Sequence, residues 1–502
     1  MSREDVRTAY HALEKVAKAN PDKVALVFEK KEVSFAALLG DVDAAAARLA
    51  AGGVGYGDAF AVYSQNHPAF VHFYYAAAKL GAVFVPINPN MTATEAAYAT
   101  RDSAAKLLLH DDVGAPIAGH ALPRDMCRPI GGFLAQSASP SDSVQADPHD
   151  DFLIIYTSGS TGSPKAVVLD HAAQLAAAAS LREMWSLSED DVTLVALPLG
   201  YLYGLSTAAA VSLQAGQRIV ILRRFHPGDV LEALVEHRAT VFHGVPTMFA
   251  MMLEYAEQRD LKVDLSPMRA LVCAGSPLAA ELKARFERRF GKAVWDYYAM
   301  TECTPVFGVH ASDSSNVPNG SVGKLAPGAA AKLLDAGNKE SATGAHAELL
   351  VRGPSMIKRY HKDPALTASA LLDGWFRTGD LGYRDARGYY YISGRIKDVI
   401  IRGGANIAPS EVEAVIGRHP SVQDVAVIGV PDRVFGEVPV AFVVKRHGTQ
   451  VSEKEIEAFA AIELADFKVP RQIVFLPELP LGKTGKVDKG SLKRNWPKPV
   501  SG

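Results

Sequence analysis

Apolar and polar positions alternate along the first 150 residues with two different periods. A helical period over residues 44–49 and 70–80 predicts two helices, whereas short apolar runs at 59–63 and 83–86 predict two buried strands. Strands and helices that alternate in this order build right-handed βαβ units around a mostly parallel sheet. We therefore expect an α/β fold in this part of the chain.

The same rhythm returns beyond residue 190 and changes near residue 320. The second series consists of predicted strands at 192–197, 218–222 and 240–242 and a predicted helix at 228–237. Clustered glycines and short alternating runs between 320 and 395 predict an antiparallel, barrel-like region. Beyond Arg395 the predicted elements are helices at 409–418 and 453–464 and strands at 424–430 and 438–445. Two sheets, a barrel-like region and a small α+β unit are thus expected.

The composition is that of a globular protein. Of the 502 residues, 48% are hydrophobic and 22% are charged, and this length predicts at least two domains. The formal net charge of -2 offers no general attraction to nucleic acid or to an anionic membrane. The apolar stretch at 69–87 contains His72 and Lys79, so we expect a buried helix and strand there rather than a membrane span.

The cysteines and the N-terminal sequence bear on the compartment. The three cysteines are Cys127, Cys273 and Cys303, an odd number at scattered positions, which predicts neither a disulfide framework nor a zinc site. The first residues are charged and lack the apolar run of a signal peptide. We therefore expect a cytoplasmic protein.

Residues 156–167, with the sequence YTSGSTGSPKAV, form the most informative stretch. Its glycines permit tight turns, so that backbone N–H groups and neighbouring hydroxyls can converge on one anion, and Lys165 adds a positive charge. The ordinary nucleotide-binding P-loop requires a lysine between Gly and Ser or Thr, whereas Lys165 lies between Pro164 and Ala166. The stretch predicts a phosphate site, with a flexible surface loop as the alternative.

Four later stretches carry further candidate chemistry. Residues 297–302, YYAMTE, combine an aromatic face that can stack on a purine with a carboxylate that can hold Mg²⁺. Residues 375–381, WFRTGDL, place a carboxylate in a glycine turn, where it can accept ribose hydroxyls. Residues 393–413 add a cluster of opposite charges with a double glycine, and residues 480–489 contain a glycine turn with lysines. Each stretch taken alone is also compatible with a structural role.

In this order, the stretches resemble the adenylate-forming superfamily of acyl-CoA and aryl-CoA ligases, luciferases and adenylation domains. The resemblance covers nearly the whole chain, and its ordered motifs are the phosphate loop, 298–302, 378–380, 394–398 with 403–404, and 485–486. It implies a large N-terminal domain, residues 1–397, of doubly wound α/β sheets plus a distorted β-barrel subdomain. It also implies a small, mobile α+β C-terminal domain, residues 398–502, with its hinge at Asp398.

The resemblance further implies a reaction that uses ATP, Mg²⁺ and coenzyme A. A carboxylic acid and ATP form an acyl-adenylate and pyrophosphate, and a thiol then displaces AMP. The implied catalytic residues are Lys486, which bridges the carboxylate and the α-phosphate, Thr301 at the α-phosphate and Glu302 as the Mg²⁺ ligand. The other implied ATP-binding residues are Thr157, Ser158, Gly159, Ser160, Thr161, Gly162 and Lys165 at the phosphates, Tyr298 stacked on adenine, Asp380 and Arg395 at the ribose, and Gly275, Ser276 and Pro277. Gly403 and Gly404 would border the coenzyme A tunnel.

Departures from the family pattern concentrate where the acid should bind. The implied acyl-pocket residues are Tyr201, His243, Gly244, Ala274, Tyr297, Ala299, Thr304 and Pro305. Ala299 replaces a usual glycine, and Tyr201 follows Gly200 where the family commonly has a histidine after an aromatic residue. Because no Lys or Arg lies at these positions, a dicarboxylate would bury an unpaired charge. We expect a short, branched or hydroxylated acid, then a compact aromatic acid, and no long-chain fatty acid.

Several alternatives stay open at this point. The acyl group could pass to a carrier-protein phosphopantetheine, or the chain could be a luciferase-like oxygenase that oxidises its adenylate. His243 at a strand end could equally be a core residue, which is the commoner role of a lone histidine. The presence of Glu302 and Lys486 disfavours a non-catalytic nucleotide-binding relative. Expected partners are the acid, ATP and coenzyme A, without nucleic acid or membrane insertion, and a homodimer is left open.

Overall fold

The computed structural model describes residues 6–112, 123–141, 146–157, 164–335, 337–353, 355–482 and 487–496. The elements up to residue 141 are α1 Ala9–Ala19, β1 Val24–Phe28, β2 Lys31–Ser34, α2 Phe35–Ala51, β3 Ala59–Tyr63, α3 Pro68–Leu80, β4 Val83–Ile87, α4 Ala93–Asp102, β5 Leu108–His110, β6 Cys127–Pro129 and α5 Ile130–Leu134.

The central part of the chain continues the α/β order. Its elements are β7 Asp151–Thr157, β8 Lys165–Asp170, α6 His171–Met184, β9 Val192–Val195, a π-helical turn Tyr203–Ala210, α7 Val211–Gln214, β10 Arg218–Ile221, α8 Pro227–Glu236, β11 Val241–Gly244, α9 Pro246–Gln258, β12 Ala270–Cys273, α10 Ala280–Phe290, β13 Val294–Met300, β14 Cys303–Gly308 and β15 Lys324–Leu325.

Strands outnumber helices in the rest of the described chain. These elements are β16 Ala330–Leu334, β17 Ala347–Arg352, β18 Arg359–Tyr360, α11 Pro364–Ala370, β19 Leu371–Leu372, β20 Trp375–Arg384, β21 Tyr390–Arg395, β22 Ile400–Arg402, β23 Ala405–Ile407, α12 Pro409–Ile416, β24 Val422–Asp432, β25 Gly436–Lys445, α13 Glu453–Glu463, β26 Gln472–Leu476 and α14 Lys489–Arg494.

Local sequence signals explain where several helices begin and end. Ser34 caps α2, since its hydroxyl accepts from the backbone N–H of Ala37 at 3.2 Å. Thr92 and Glu95 form a reciprocal capping box at the start of α4. Gly81 ends α3 in the left-handed region at φ 63°, which glycine adopts without steric cost.

Two sheets carry the α/β part of the described chain, in agreement with the two predicted series. The first has the order β18-β8-β7-β4-β3-β5-β6, in which β7 and β8 form an antiparallel hairpin. The second has the order β15-β14-β13-β12-β11-β9-β10-β1-β2 and is parallel from β13 to β1. The pairing of β1 with β10 was not predicted, because it joins segments that lie far apart in sequence.

The other two sheets are mostly antiparallel. In the predicted barrel-like region, β20 pairs with β17 on one side and with β19 and β21 on the other. A bridge between Gly323 and Tyr390 joins this sheet to the segment that precedes β15. In the C-terminal unit, β25 pairs with β22, β24 and β26. The predicted mixed α/β architecture, with a large N-terminal and a small C-terminal domain, is confirmed.

Aromatic residues fill the core beneath the first sheet. Phe60 on β3 stacks on Phe84 of β4 with ring centroids 5.3 Å apart, and Phe73 of α3 packs edge-on against Phe60. All three side chains are fully buried. The predicted helix and strand at 69–87 thus lie inside the protein. Among the helices of the described ranges, none has the length and hydrophobicity needed to cross a membrane.

Candidate active site

The hairpin of β7 and β8 holds the two described ends of the predicted phosphate loop. Thr157 and Lys165 are paired across the antiparallel register, and the Thr157 hydroxyl donates to the Lys165 carbonyl at 3.4 Å. The Lys165 ammonium lies 5.6 Å from the centroid of the Tyr360 ring. The other predicted phosphate-binding residues, Ser158, Gly159, Ser160, Thr161 and Gly162, lie outside the described residues.

Tyr360 connects this lysine to the predicted magnesium ligand. The Tyr360 hydroxyl donates to Glu302 Oε1 at 2.8 Å. Burial, together with the neighbouring Glu302 carboxylate, raises the pKa of the Tyr360 phenol, so it stays protonated and keeps donating. Sequence analysis missed Tyr360, because it lies on a two-residue strand whose pairing with Val167 of β8 only the fold reveals.

Glu302 suits Mg²⁺ held together with a nucleotide. Mg²⁺ usually binds through one or two carboxylates along with phosphate oxygens and water, rather than in an all-protein cage. Glu302 has one carboxylate oxygen fixed by Tyr360, and its backbone carbonyl accepts from the N–H of Ile357 at 2.6 Å. The described residues contain no group of three or more His, Cys, Asp or Glu side chains that could form such a cage. The donor set therefore fits a metal that arrives with ATP.

Asp380 is held by two partners at the predicted ribose site. The Tyr298 hydroxyl donates to Asp380 Oδ2 at 2.5 Å, and Arg395 Nε lies 3.0 Å from Asp380 Oδ1. Asp380 is 6% exposed, and its backbone N–H donates to the Thr378 hydroxyl oxygen at 2.9 Å. The Tyr298 ring packs against Phe307 with centroids 5.6 Å apart. The structure thus brings together the three residues predicted near adenine and ribose.

The carboxyl ends of β11 and β12 carry the next group of predicted site residues. Gly244 and Ala274 are adjacent there, since the Ala274 N–H donates to the Gly244 carbonyl at 3.1 Å. Gly275 follows with φ 92°, a conformation that L side chains rarely adopt. Ser276 and Pro277 lie in the same loop before α10. In open parallel sheets, ligands bind outside the carboxyl ends of the strands.

Four rings meet on one face of the second sheet, and we call them the ring cluster: Trp185, Tyr203, His243 and Tyr297. The Trp185 ring centroid lies 5.1 Å from both the His243 and the Tyr297 centroids. Tyr203 closes the group at 5.7 Å from His243 and 6.1 Å from Tyr297. The predicted pocket residues Ala274 and Ala299 pack in the same hydrophobic group.

Strand register explains this face. In the strand register, His243 is paired with Val272, and Val272 is paired with Trp295. Tyr297 lies two residues beyond Trp295 on β13. Because side chains alternate along a strand, the side chains of His243 and Tyr297 lie on the same face of the sheet. Trp185 follows α6, and its carbonyl accepts from Arg269 Nη1 at 2.8 Å. Trp185 and Tyr203 were missed by sequence analysis because no motif marks them.

Burial keeps His243 neutral. The side chain is 1% exposed, and desolvation lowers its pKa to about 3. A neutral imidazole has one donor and one acceptor nitrogen. His243 therefore brings hydrogen-bonding capacity to the ring cluster without charge.

Other predicted pocket residues lie around this core. The Thr304 hydroxyl donates to the Met300 carbonyl at 2.6 Å, and Thr301 and Pro305 lie in and after the turn that joins β13 to β14. Tyr201 has its ring outside the ring cluster and interacts with Asn88, and burial raises the pKa of its phenol to about 12. Its assignment to the acyl pocket stays a prediction.

Gly200 explains one departure from the family pattern. A Cβ atom at this position would lie 2.4 Å from the carbonyl oxygen of Ile87. No aromatic side chain can therefore occupy the position in this backbone. The sequence shows the departure, and the structure supplies its steric reason.

The predicted hinge residue lies at the start of the C-terminal unit, and the predicted tunnel residues lie within it. Asp398 ends a short 3₁₀ turn, Ile396–Asp398, between β21 and β22. Gly403 and Gly404 form the turn between β22 and β23 with φ of 57° and 87°. Lys486 lies outside the described residues, whereas Leu481 and Val487 on either side of it form an antiparallel bridge.

Comparison with known proteins identifies the family. The model of the AMP-binding enzyme family matches residues 13–361, and that of the AMP-binding enzyme C-terminal domain matches residues 411–486. The chain belongs to the AMP-binding enzyme family. The predicted resemblance to adenylate-forming enzymes is thereby confirmed.

Individual relatives give the reaction. The chain is 35% identical over 483 residues to a feruloyl-CoA synthase of Amycolatopsis, covering 96% of this chain and 97% of the relative. It is 32% identical over 496 residues to an indoleacetate–CoA ligase of Aromatoleum aromaticum, covering 96% and 97%. The solved o-succinylbenzoate CoA synthetase of Bacillus subtilis, in complex with an acyl-adenylate intermediate, superposes with a TM-score of 0.86 at 29% identity, covering 96% and 97%.

This family member is an AMP-forming acid:CoA ligase. It activates a carboxylic acid with ATP to an acyl-adenylate and transfers the acyl group to coenzyme A, with Mg²⁺ as the metal cofactor. The predicted function and cofactors are therefore confirmed at this level. A homodimer and the cellular compartment stay predictions.

Proposed function

We propose that the end of β13 organises the adenylation chemistry of this ligase. Tyr297 belongs to the ring cluster, Tyr298 donates a hydrogen bond to Asp380, and Glu302 accepts one from Tyr360, all within six residues of chain. This arrangement is the observation that carries the proposal. It supports an acid lying against the ring cluster, a ribose at Asp380 and a metal-bound phosphate at Glu302, all around one strand end.

The proposed roles follow from charge and position. Lys165 and Lys486 supply positive charge near the phosphates, and the Mg²⁺ that Glu302 would hold neutralises phosphate charge. A carboxylate oxygen of the acid attacks the α-phosphorus, the bond to the β-phosphate bridge breaks, and pyrophosphate leaves. The thiolate of coenzyme A then forms a bond to the acyl carbon, and AMP leaves with the oxygen that came from the acid.

Domain rotation would let one site serve both steps. We propose residues 1–397 as the N-terminal domain and 398–502 as the C-terminal domain, with Asp398 as the hinge. Contacts between the C-terminal unit and the N-terminal one include a hydrogen bond from Gln423 Nε2 to Glu254 Oε1 of 2.8 Å and one from the Ser410 hydroxyl to the Ser393 carbonyl. Polar contacts of this kind can exchange during turnover. Rotation would move Lys486 away and bring Gly403 and Gly404 to the coenzyme A path.

The side chains of the pocket favour a compact acid with a flat ring. The four rings of the ring cluster pack against one another beside the proposed acyl site, and aromatic faces pack well against a planar ligand. The feruloyl-CoA synthase and the indoleacetate–CoA ligase are named for aromatic acids, which supports the same class here. A short, branched or hydroxylated aliphatic acid, the first expectation from the sequence, thereby becomes the second candidate and is supported by the polar groups of His243 and Tyr297.

Separate assays of the two half-reactions test these roles. Lys486→Ala and Lys165→Ala should each slow pyrophosphate release strongly while leaving thioester formation from a presynthesised acyl-adenylate largely intact. Lys493→Ala, on the exposed side of α14, is the matched control and should change neither step. Equal losses in both half-reactions would contradict the assignment. Asp398→Pro should impair the second step more, and an unchanged overall rate would exclude it as the hinge.

A panel of about thirty acids, read by pyrophosphate release and by mass detection of the CoA ester, tests the substrate class. Compact aromatic and short acids should lead the panel. Faster turnover of dodecanoate or longer acids than of every small acid would overturn the compact pocket.

A further inference from the structure

The ring cluster contains four buried polar atoms for which the described part of the chain offers no hydrogen-bond partner. They are Trp185 Nε1, both ring nitrogens of His243 and the Tyr297 hydroxyl. The Thr207 side chain lies close enough to affect the pKa of the Tyr297 hydroxyl, but the two side chains form no hydrogen bond of normal geometry. The side chains of Trp185, His243 and Tyr297 are 0%, 1% and 5% exposed.

Such a group of atoms needs a common explanation. Buried polar groups in folded proteins almost always have partners, and an unpaired one opposes folding. The other atoms of this kind belong to five residues spread along the described chain between positions 88 and 393, whereas these four belong to rings in mutual contact. A bound molecule that supplies partners to all of them would explain their grouping.

The donor and acceptor pattern restricts that molecule. An indole N–H only donates, so the ligand must accept from Trp185. The neutral imidazole of His243 and the Tyr297 phenol can each donate or accept. A hydroxyl or carbonyl oxygen fulfils these demands. A carboxylate does not, because none of the four rings carries a positive charge to pair with it.

The position of the cluster indicates which part of the acid meets it. Tyr297 and Tyr298 are neighbours on β13 and point to opposite faces, and Tyr298 binds the proposed ribose carboxylate of Asp380. Activation of the acid takes place at the strand ends near Thr301 and Glu302. Trp185 lies behind these strand ends, so a ligand group that contacts Trp185 must be at the end of the acid opposite its carboxylate.

We infer that Trp185, His243 and Tyr297 form a hydrogen-bonding subsite that selects acids with an uncharged hydroxyl or carbonyl group distal to the carboxylate. This inference rests on the proposed function, in which the ring cluster lines the acyl pocket. In this subsite Trp185 is an obligatory donor, and His243 and Tyr297 can each donate or accept.

Matched pairs of acids test the inference. The probes are 4-hydroxybenzoate with benzoate, 4-hydroxycinnamate with cinnamate, and 4-oxopentanoate with pentanoate, each measured as kcat/KM for CoA ester formation. For the pair that fits the pocket, kcat/KM should be at least tenfold higher for the oxygenated acid. The acid without that oxygen would leave the buried polar atoms of the subsite unpaired.

Removal of one donor assigns the preference to the subsite. Trp185→Phe keeps a ring but loses the N–H, so it should reduce that preference about tenfold, with little change for the acid that lacks the oxygen. Trp295→Phe is the matched control, because Trp295 is a buried indole on the same sheet face outside the ring cluster. It should leave the preference unchanged.

Two results would overturn the inference. One is a kcat/KM ratio near one between the two acids of every pair in the wild-type enzyme. This result would leave the ligase assignment intact as long as CoA esters form. The other is equal loss for both acids of a pair in Trp185→Phe. Failure to release pyrophosphate or form a CoA ester from any acid would instead refute the proposed function itself.

Thermal unfolding without substrate separates a ligand from a structural water. Tyr297→Phe should leave the midpoint unchanged or raise it, because it removes a polar atom that has no partner in the free enzyme. A fall in the midpoint without loss of the preference would show that water or protein satisfies the hydroxyl, and the subsite would be excluded.

Discussion

Replacing Tyr298 by Phe removes the hydroxyl that donates to the buried Asp380 carboxylate and leaves the aromatic ring in place. The hydroxyl donates to Asp380 Oδ2 at 2.5 Å, and Arg395 at 3.0 Å remains as the second partner. A hydrogen bond to a charged acceptor contributes about 1.5–3 kcal/mol, and the retained arginine favours the lower half of this range. At about 2 kcal/mol, kcat/KM for ATP should fall about 30-fold.

The assay is pyrophosphate release at varied ATP with a saturating acid. Burial raises the pKa of Tyr298 well above its ordinary value, so the phenol donates throughout the neutral range and the effect should not change between pH 7 and 9. Thioester formation from a presynthesised acyl-adenylate should also suffer, since the adenylate carries the same ribose.

Tyr389→Phe is the matched control. The Tyr389 hydroxyl donates to Asp313 Oδ2 at the same distance of 2.5 Å, and the side chain is 1% exposed, but neither residue belongs to the site. This variant should alter stability at most. A change of less than threefold for Tyr298→Phe, or an equal loss in both variants, would refute the role assigned to the Tyr298 and Asp380 pair.

The remaining predictions concern the metal ligand, acid stability and one close backbone contact. Tyr360→Phe should raise the Mg²⁺ concentration for half-maximal adenylation about tenfold, because Glu302 loses the hydrogen bond that orients it. Burial lowers the pKa of His171 to about 4, below the ordinary 6.5, so the unfolded state binds its proton first as pH falls. The free energy of unfolding, measured with urea, should therefore decline as pH falls from 6.5 to 4. In His171→Gln this decline should be smaller by about 3 kcal/mol. Gly200→Ala should lower the unfolding midpoint, since its Cβ would lie 2.4 Å from a carbonyl oxygen.

Two of these predictions have a control variant within the chain, and the third has an outcome that would contradict it. Tyr10→Phe loses a similar bond, 2.9 Å to Asp43, and should leave the Mg²⁺ dependence unchanged. If the free energy of unfolding of His171→Gln declines between pH 6.5 and 4 as much as that of the wild type, His171 does not contribute to the loss of stability in acid. Gly40→Ala, in an open position inside α2, should raise the midpoint, and a similar rise in Gly200→Ala would contradict the steric account.

Much of the fold was predictable because the signals are local. The apolar period marks α3 and β4, and glycines with positive φ mark turns such as Gly403 and Gly404. The site motifs at Tyr298, Asp380 and Glu302 were recognised because each is a short run of adjacent residues.

The rest depends on contacts between distant segments. Tyr360 meets Glu302 only because a two-residue strand pairs with β8, which no local pattern announces. Trp185 joins the ring cluster from the end of α6, where an aromatic residue signals only burial. The steric reason for Gly200 likewise comes from the backbone of Ile87, more than a hundred residues earlier.

The fate of a carboxylate oxygen tests the central claim most directly. The ligase would be given ATP, Mg²⁺, coenzyme A and an accepted acid labelled with ¹⁸O in both carboxylate positions, and the nucleotide product would be weighed by mass spectrometry. Passage through an acyl-adenylate predicts AMP that carries one ¹⁸O atom, together with a CoA ester that retains the other. Unlabelled AMP, or ADP as the nucleotide product, would contradict the account.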